Sequence, residues 1–66
     1  MTKQRVLHEN EWTNDERRAV QAHHRAADDP DISQDAMQTA WRDDYGTLCV
    51  KYVSGAWWHY GHGKWW

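Results

Sequence analysis

A thiol and two imidazoles lie close together near the end of this sequence, at Cys49, His59 and His62. Thiolate sulfur and neutral imidazole nitrogen are the donors that zinc favours, and a structural zinc site takes four of them. The set is one ligand short unless His23, His24 or a second chain supplies it. The sequence therefore predicts a fold that needs no metal and no other cofactor, with Cys49, His59 and His62 as the residues a metal would use. A second cluster, Asp28-Asp29-Pro30-Asp31-Ile32-Ser33, contains the D-x-D-x-S opening of a calcium loop. Such a loop needs Gly at its sixth position and a bidentate Glu at its twelfth. Gln34 and Ala40 stand there instead, so these acids read as cap and turn residues.

Catalysis finds little to use. No serine sits in a nucleophile elbow and no glycine-rich loop precedes a helix, while the acid pairs Asp28-Asp29 and Asp43-Asp44 read as solvated helix ends. The expectation is a protein that is not an enzyme. A third pattern places Gln34, Gln38 and Arg42 on one helix, where they would face base edges, with Lys51, His62 and Lys64 on a following hairpin to touch phosphate, as in a winged helix. The same helix would carry Asp35, Asp43 and Asp44. Residues 1–46 hold six Lys/Arg against ten Asp/Glu, while residues 47–66 hold two lysines and no acid. Nucleic acid is thus not expected as a partner, since phosphate is bound by dense basic faces.

The last seventeen residues, Val50 to Trp66, carry more information. They hold four of the six tryptophans, two of the three tyrosines and three of the four glycines. Tryptophan patches mark interaction sites and supply interface hot spots, and aromatic platforms also stack on sugars and bases.

Several elements must position these residues. Thr13-Asn14-Asp15-Glu16 is a capping box that starts a helix over Asn14 to Ala27. Asp29-Pro30 stops it, because the residue before proline avoids the α region. Its buried stripe would be Glu16, Ala19, Val20, His23, Ala26 and Ala27. A second helix is expected over Gln34 to Asp44: Ser33 is a good N-cap, Ile32 and Met37 match a hydrophobic staple, and Gly46 suits a left-handed residue past the end. Ala36, Met37, Ala40, Trp41 and Tyr45 would share its inner face, with Trp41 filling the space above the alanines of the first helix.

From Thr47 the period changes to two. A two-residue turn at Ser54-Gly55 would mix polar and apolar residues on both faces. A three-residue loop Val53-Ser54-Gly55 with Gly55 left-handed instead opposes Val50 to Trp58 and Leu48 to Tyr60, and gathers Leu48, Val50, Tyr52, Trp58 and Tyr60 on one side. Read in the same way, Gly61-His62-Gly63 returns Lys64, Trp65 and Trp66 as a third strand, with Trp66 beside Trp58 and Trp65 beside His59.

The expectation is one α+β domain over residues 1–66: an arm or short strand at 1–12, a helical hairpin at 13–46, and an antiparallel three-stranded β-meander at 47–66. So short a chain hides only about 60% of its unfolded surface. One cysteine allows no disulfide within the chain, so aromatic packing or self-association must help. No apolar run is long enough to span a membrane, and no apolar stretch follows the basic start. A cytoplasmic protein with no membrane contact is expected. The predicted function is non-catalytic: docking on a protein partner through Trp57, Trp65, His59 and Lys51 on the open sheet face, with a possible homodimer through the same face. A small bacterial or phage accessory or inhibitor protein would fit. Winged-helix nucleic-acid binding and aromatic-platform carbohydrate binding are the alternatives.

Overall fold

Helix α1 (Asn14–Ala27) begins at its capping box: the Thr13 hydroxyl accepts from the Glu16 amide at 3.1 Å, and the Glu16 carboxylate accepts from the Thr13 amide at 2.8 Å. The helix ends at a left-handed Asp28 (φ 46°), whose amide donates to the His24 carbonyl. Glu16, Ala19, Val20 and His23 are buried, but Ala26 and Ala27 are exposed, so the covered stripe stops a turn before the alanines do. The computed structural model describes residues 6–66. The first five residues of the expected arm lie outside the described residues. The part that is described packs on the helix side of the fold, with Trp12 buried in the core and the Leu7 amide donating to the Ala40 carbonyl at 2.7 Å.

The expected second helix is a strand. Gln34–Ala36 forms a single 3₁₀ turn, and β1 (Met37–Arg42) follows it. The error has a geometric cause. Ala36 with Ala40, and Met37 with Trp41, are spaced by four residues, and a spacing of four keeps residues together both on a helix and on a strand. The strand separates Ala40 from Trp41: Ala40 is buried against the helix, whereas Trp41 points to the opposite face, where its ring meets Trp57, and a register shift between Met37 and Thr39 leaves Met37 on the core side with Ala40. Gly46 is left-handed as expected (φ 79°), yet it closes a hairpin loop Asp44-Tyr45-Gly46 between paired Asp43 and Thr47, and Tyr45 is exposed at the tip. A helix end and a bulged hairpin make the same demand for positive φ.

Four antiparallel strands in sequence order make the sheet: β1, β2 (Leu48–Tyr52), β3 (Trp57–Gly61) and β4 (Lys64–Trp65). The fold is thus α+β, with one helix and a four-stranded meander among the described residues rather than a helical hairpin and three strands. Between β2 and β3 the register is Leu48 with Tyr60, Cys49 with His59 and Val50 with Trp58. The loop is the three-residue one, with Gly55 at φ 98° and the Tyr52 amide bonded to the Ala56 carbonyl at 2.8 Å. Between β3 and β4 the turn has two residues, not three. His62 (φ 53°) and Gly63 (φ 70°) both take left-handed geometry, as a type I′ turn requires, and Gly61 pairs with Lys64. That one-residue difference exchanges the faces of β4. Trp65 pairs with Tyr60 and turns inward, while the backbone of Trp66 bonds that of His59.

The inner face carries Leu48, Val50, Tyr52, Trp58, Tyr60 and Trp65 against α1 and Trp12. Two polar links join helix to sheet. Arg42 forms a two-pronged ion pair with Glu16, with Nη2 to Oε1 at 2.8 Å. Further along, His23 Nδ1 meets the Tyr60 hydroxyl at 2.7 Å, the Tyr60 hydroxyl meets that of Tyr52 at 2.6 Å, and Tyr52 meets His24 Nε2 at 2.8 Å. His23 also lies parallel to the Trp65 ring at 5.0 Å. No helix among the described residues is long and apolar enough to cross a membrane.

Burial pulls the pKa of both histidines below the ordinary 6.5, with the charge of His24 adding to the effect at His23. Burial pushes the Glu16 carboxyl up, but the bonds from Arg42 and Thr13 and the Arg42 charge outweigh it, so its pKa falls below the ordinary 4.5. All three groups take up protons more readily in the unfolded chain, so stability falls with falling pH. The melting temperature should decline below pH 6.5 as the unfolded chain protonates His23 and His24, and again below 4.5 as it protonates Glu16. Glu16→Gln should flatten the second decline and leave the first. Gly55→Ala should cost roughly 1–2 kcal/mol, because a side chain is strained in left-handed geometry.

Candidate functional site

The outer face of the sheet follows from the strand registers. Trp41 opposes Cys49, Cys49 opposes His59, and His59 lies beside Trp66; in the next row Thr39 opposes Lys51, and Lys51 opposes Trp57. The rings form a continuous line. Trp41 and Trp57 are 5.7 Å apart between centroids, Trp57 and His59 5.0 Å, and His59 and Trp66 5.3 Å with their planes nearly parallel at 4°. Trp57 is 52% exposed and Trp66 55%, so both offer ring surface to solvent.

Of the residues expected at a binding face, Trp57, His59 and Lys51 are there. Trp65 is not: it lies partly buried against His23, and Trp66 takes the place beside His59. The cause is the shorter β3–β4 turn, which reverses the parity of β4. Trp41 belongs to the face although it was expected in the core. An H-G pair in a two-residue turn, and a strand reading of Met37–Arg42, are the signals that would have placed both tryptophans.

Beneath the ring line sits a polar group. One carboxylate oxygen of Asp43, Cys49 Sγ and a ring nitrogen of His59 lie within 4.8 Å of one another. His62 is elsewhere, exposed in the β3–β4 turn. Asp43 went unnoticed as a site residue because it was read as a helix end; it closes the β1–β2 hairpin instead. Its Oδ1 accepts from the amides of Tyr45 and Thr47, both at 2.9 Å, leaving Oδ2 facing His59 Nε2 at 3.9 Å. His59 Nδ1 lies 3.3 Å from the Trp66 carbonyl. A carbonyl only accepts, so this contact is a hydrogen bond when Nδ1 carries the hydrogen, and in that neutral tautomer Nε2 presents its lone pair. The imidazole does not stand between thiol and carboxylate as a nucleophile–base–acid relay needs. The three groups converge instead.

Cys49 is fully buried, and its thiol is pushed up to about 11, first by burial and then by the Asp43 charge. Comparison of the chain with family models, with curated proteins and with solved structures returns no match.

From 9.0 to about 11 is two pH units, so the thiolate fraction of folded Cys49 near neutral pH should be about 100-fold below that of an open thiol. Alkylation by iodoacetamide should be slower by at least that factor in the native chain than in denaturant. A native rate close to the denatured one would show an accessible, activated thiol.

Proposed function

We propose that this protein is a non-catalytic binding module that docks on another protein through the outer face of its sheet. The observation that carries the reading is the exposed pair Trp57 and Trp66, held on either side of His59 and extended by Trp41. Helix α1, Leu7 and Trp12 pack on the inner side of the sheet, away from these rings. Tryptophans held in place by strand pairing lose little conformational freedom on binding, which suits them as anchors. Lys51 stands beside Trp57, and residues 47–66 contain two lysines and no acid. The partner surface that fits is apolar at its centre with an acidic rim.

The winged-helix reading loses its recognition element, because Gln38 and Arg42 lie on β1 and Arg42 is committed to Glu16. Duplex DNA should bind no more tightly than the usual non-specific range of about 10⁻⁴–10⁻⁶ M at physiological salt.

Truncation of the tryptophans tests the proposal. Trp57→Ala and Trp66→Ala should keep stability within about 0.5 kcal/mol of the parent and weaken partner binding by about 2 kcal/mol or more each. Trp65→Ala, which removes a ring from the inner face, should cost about 3 kcal/mol, the lower part of the range for buried tryptophan. The measurements are melting curves, affinity for a partner captured from a native host and then purified, and sedimentation of the chain alone. Concentration-dependent dimers that Trp57→Ala abolishes would make the partner a second copy. Unchanged partner binding in both outer variants would overturn the proposal, as would a tryptophan fluorescence response confined to oligosaccharides.

A further inference from the structure

We propose that Asp43, Cys49 and His59 form a binding site for a divalent transition metal, zinc foremost, with one coordination position open to water. The inference is independent of the docking proposal, since it concerns the ligand atoms under the ring line and needs no partner.

The donor set is one sulfur, one imidazole nitrogen and one carboxylate oxygen. Calcium and magnesium take oxygen ligands, and iron–sulfur clusters take several cysteines. Mixed sulfur, nitrogen and oxygen ligation suits zinc, and three protein ligands with a fourth position left open is one of its common arrangements. The separations are close to what a metal requires. Tetrahedral ligation at about 2.0–2.3 Å sets ligand atoms about 3.3–3.6 Å apart, against 3.9 Å between Asp43 Oδ2 and His59 Nε2 and at most 4.8 Å across the group. Small side-chain rotations close the difference.

Orientation is the stronger ground. Metal ligands are commonly aimed by hydrogen bonds to the atoms they do not use for binding. Here the Tyr45 and Thr47 amides hold Oδ1 of Asp43, and the Trp66 carbonyl holds Nδ1 of His59. The atoms left over, Oδ2 and Nε2, face each other beside Cys49 Sγ. Charge agrees as well: a thiolate and a carboxylate together neutralise a divalent cation, so the loaded site leaves no net charge on a partly buried face. Asp43 and His59 stay about one-quarter exposed at their side chains, which gives an entry path.

The test uses the purified full chain and the metal alone. Cobalt(II) is titrated as a spectroscopic stand-in, its near-ultraviolet thiolate-to-metal charge-transfer band and tetrahedral d–d bands are recorded, and zinc is used to displace it. One equivalent should bind with a charge-transfer band that zinc abolishes. Cys49→Ser should remove the band. Asp43→Asn should weaken binding by at least about 100-fold, and it keeps the hairpin because its amide oxygen still accepts from Tyr45 and Thr47. His59→Gln should behave as Asp43→Asn does, and His62→Gln should leave binding unchanged. If Cys49→Ser fails to fold by circular dichroism, Asp43→Asn decides. Absence of the band with the parent chain, or affinity that survives Asp43→Asn and His59→Gln, would overturn the inference.

Discussion

Helix α1 lies on the sheet through a stripe of small side chains, and alanine contacts alone do not fix a helix against a sheet. Its position is set by two polar links about two turns apart, the first part-buried and the second buried. At one, Glu16 receives the forked guanidinium of Arg42; at the other, His23 enters the Tyr60–Tyr52 pair. Buried polar groups left without partners cost far more than apolar groups out of register. The helix therefore has one docking position in which all of these contacts form, and a shift of a turn would take the Glu16 carboxylate from Arg42 and His23 from the Tyr60 hydroxyl. With the inner face committed in this way, everything on the other parity of the strands is left to face outward.

Where sequence and structure agree, one physical constraint admitted one answer. The Thr13–Glu16 box starts a helix because the two side chains satisfy amides that the first turn leaves without a partner in the helix. The β2–β3 register could be derived because only a three-residue loop sorts Leu48, Val50, Tyr52, Trp58 and Tyr60 to one side. Where they differ, two structures met the same local demand. Ala36, Met37, Ala40 and Trp41 repeat at a spacing shared by helix and strand, and Gly46 suits the end of either. The choice fell to tertiary contacts: a strand lets Ala40 face the core, brings Arg42 to Glu16 and pairs Met37 and Thr39–Arg42 with β2.

Most of the face that went unread was lost through those two ambiguities. Reading β1 as a helix hid Trp41 and made Asp43 a solvated acid; giving the last turn one residue too many exchanged Trp65 and Trp66. Cys49, His59, Trp57 and Lys51 were placed because they lie on the hairpin whose register was determined. The residues of the site are thus linked by parity, and errors in it travel in groups: one miscounted turn moves a whole strand's worth of chemistry to the wrong side.

The line of His23, Tyr60, Tyr52 and His24 contains three short contacts but only two hydroxyl protons. If both imidazoles presented lone pairs, each phenol would donate outward and the two oxygens would face each other 2.6 Å apart with nothing between them. One ring must therefore supply the third proton. The arrangement that uses both phenol protons within the line gives the histidines opposite tautomeric roles, one a donor into the line and the other the acceptor at its end. All protons in the line then point the same way, and the opposite polarity is reached only by moving every one of them together with the tautomers of both rings. The core of this small chain thus contains a polar line with a direction, running from one histidine of α1 through two strands of the sheet to the next.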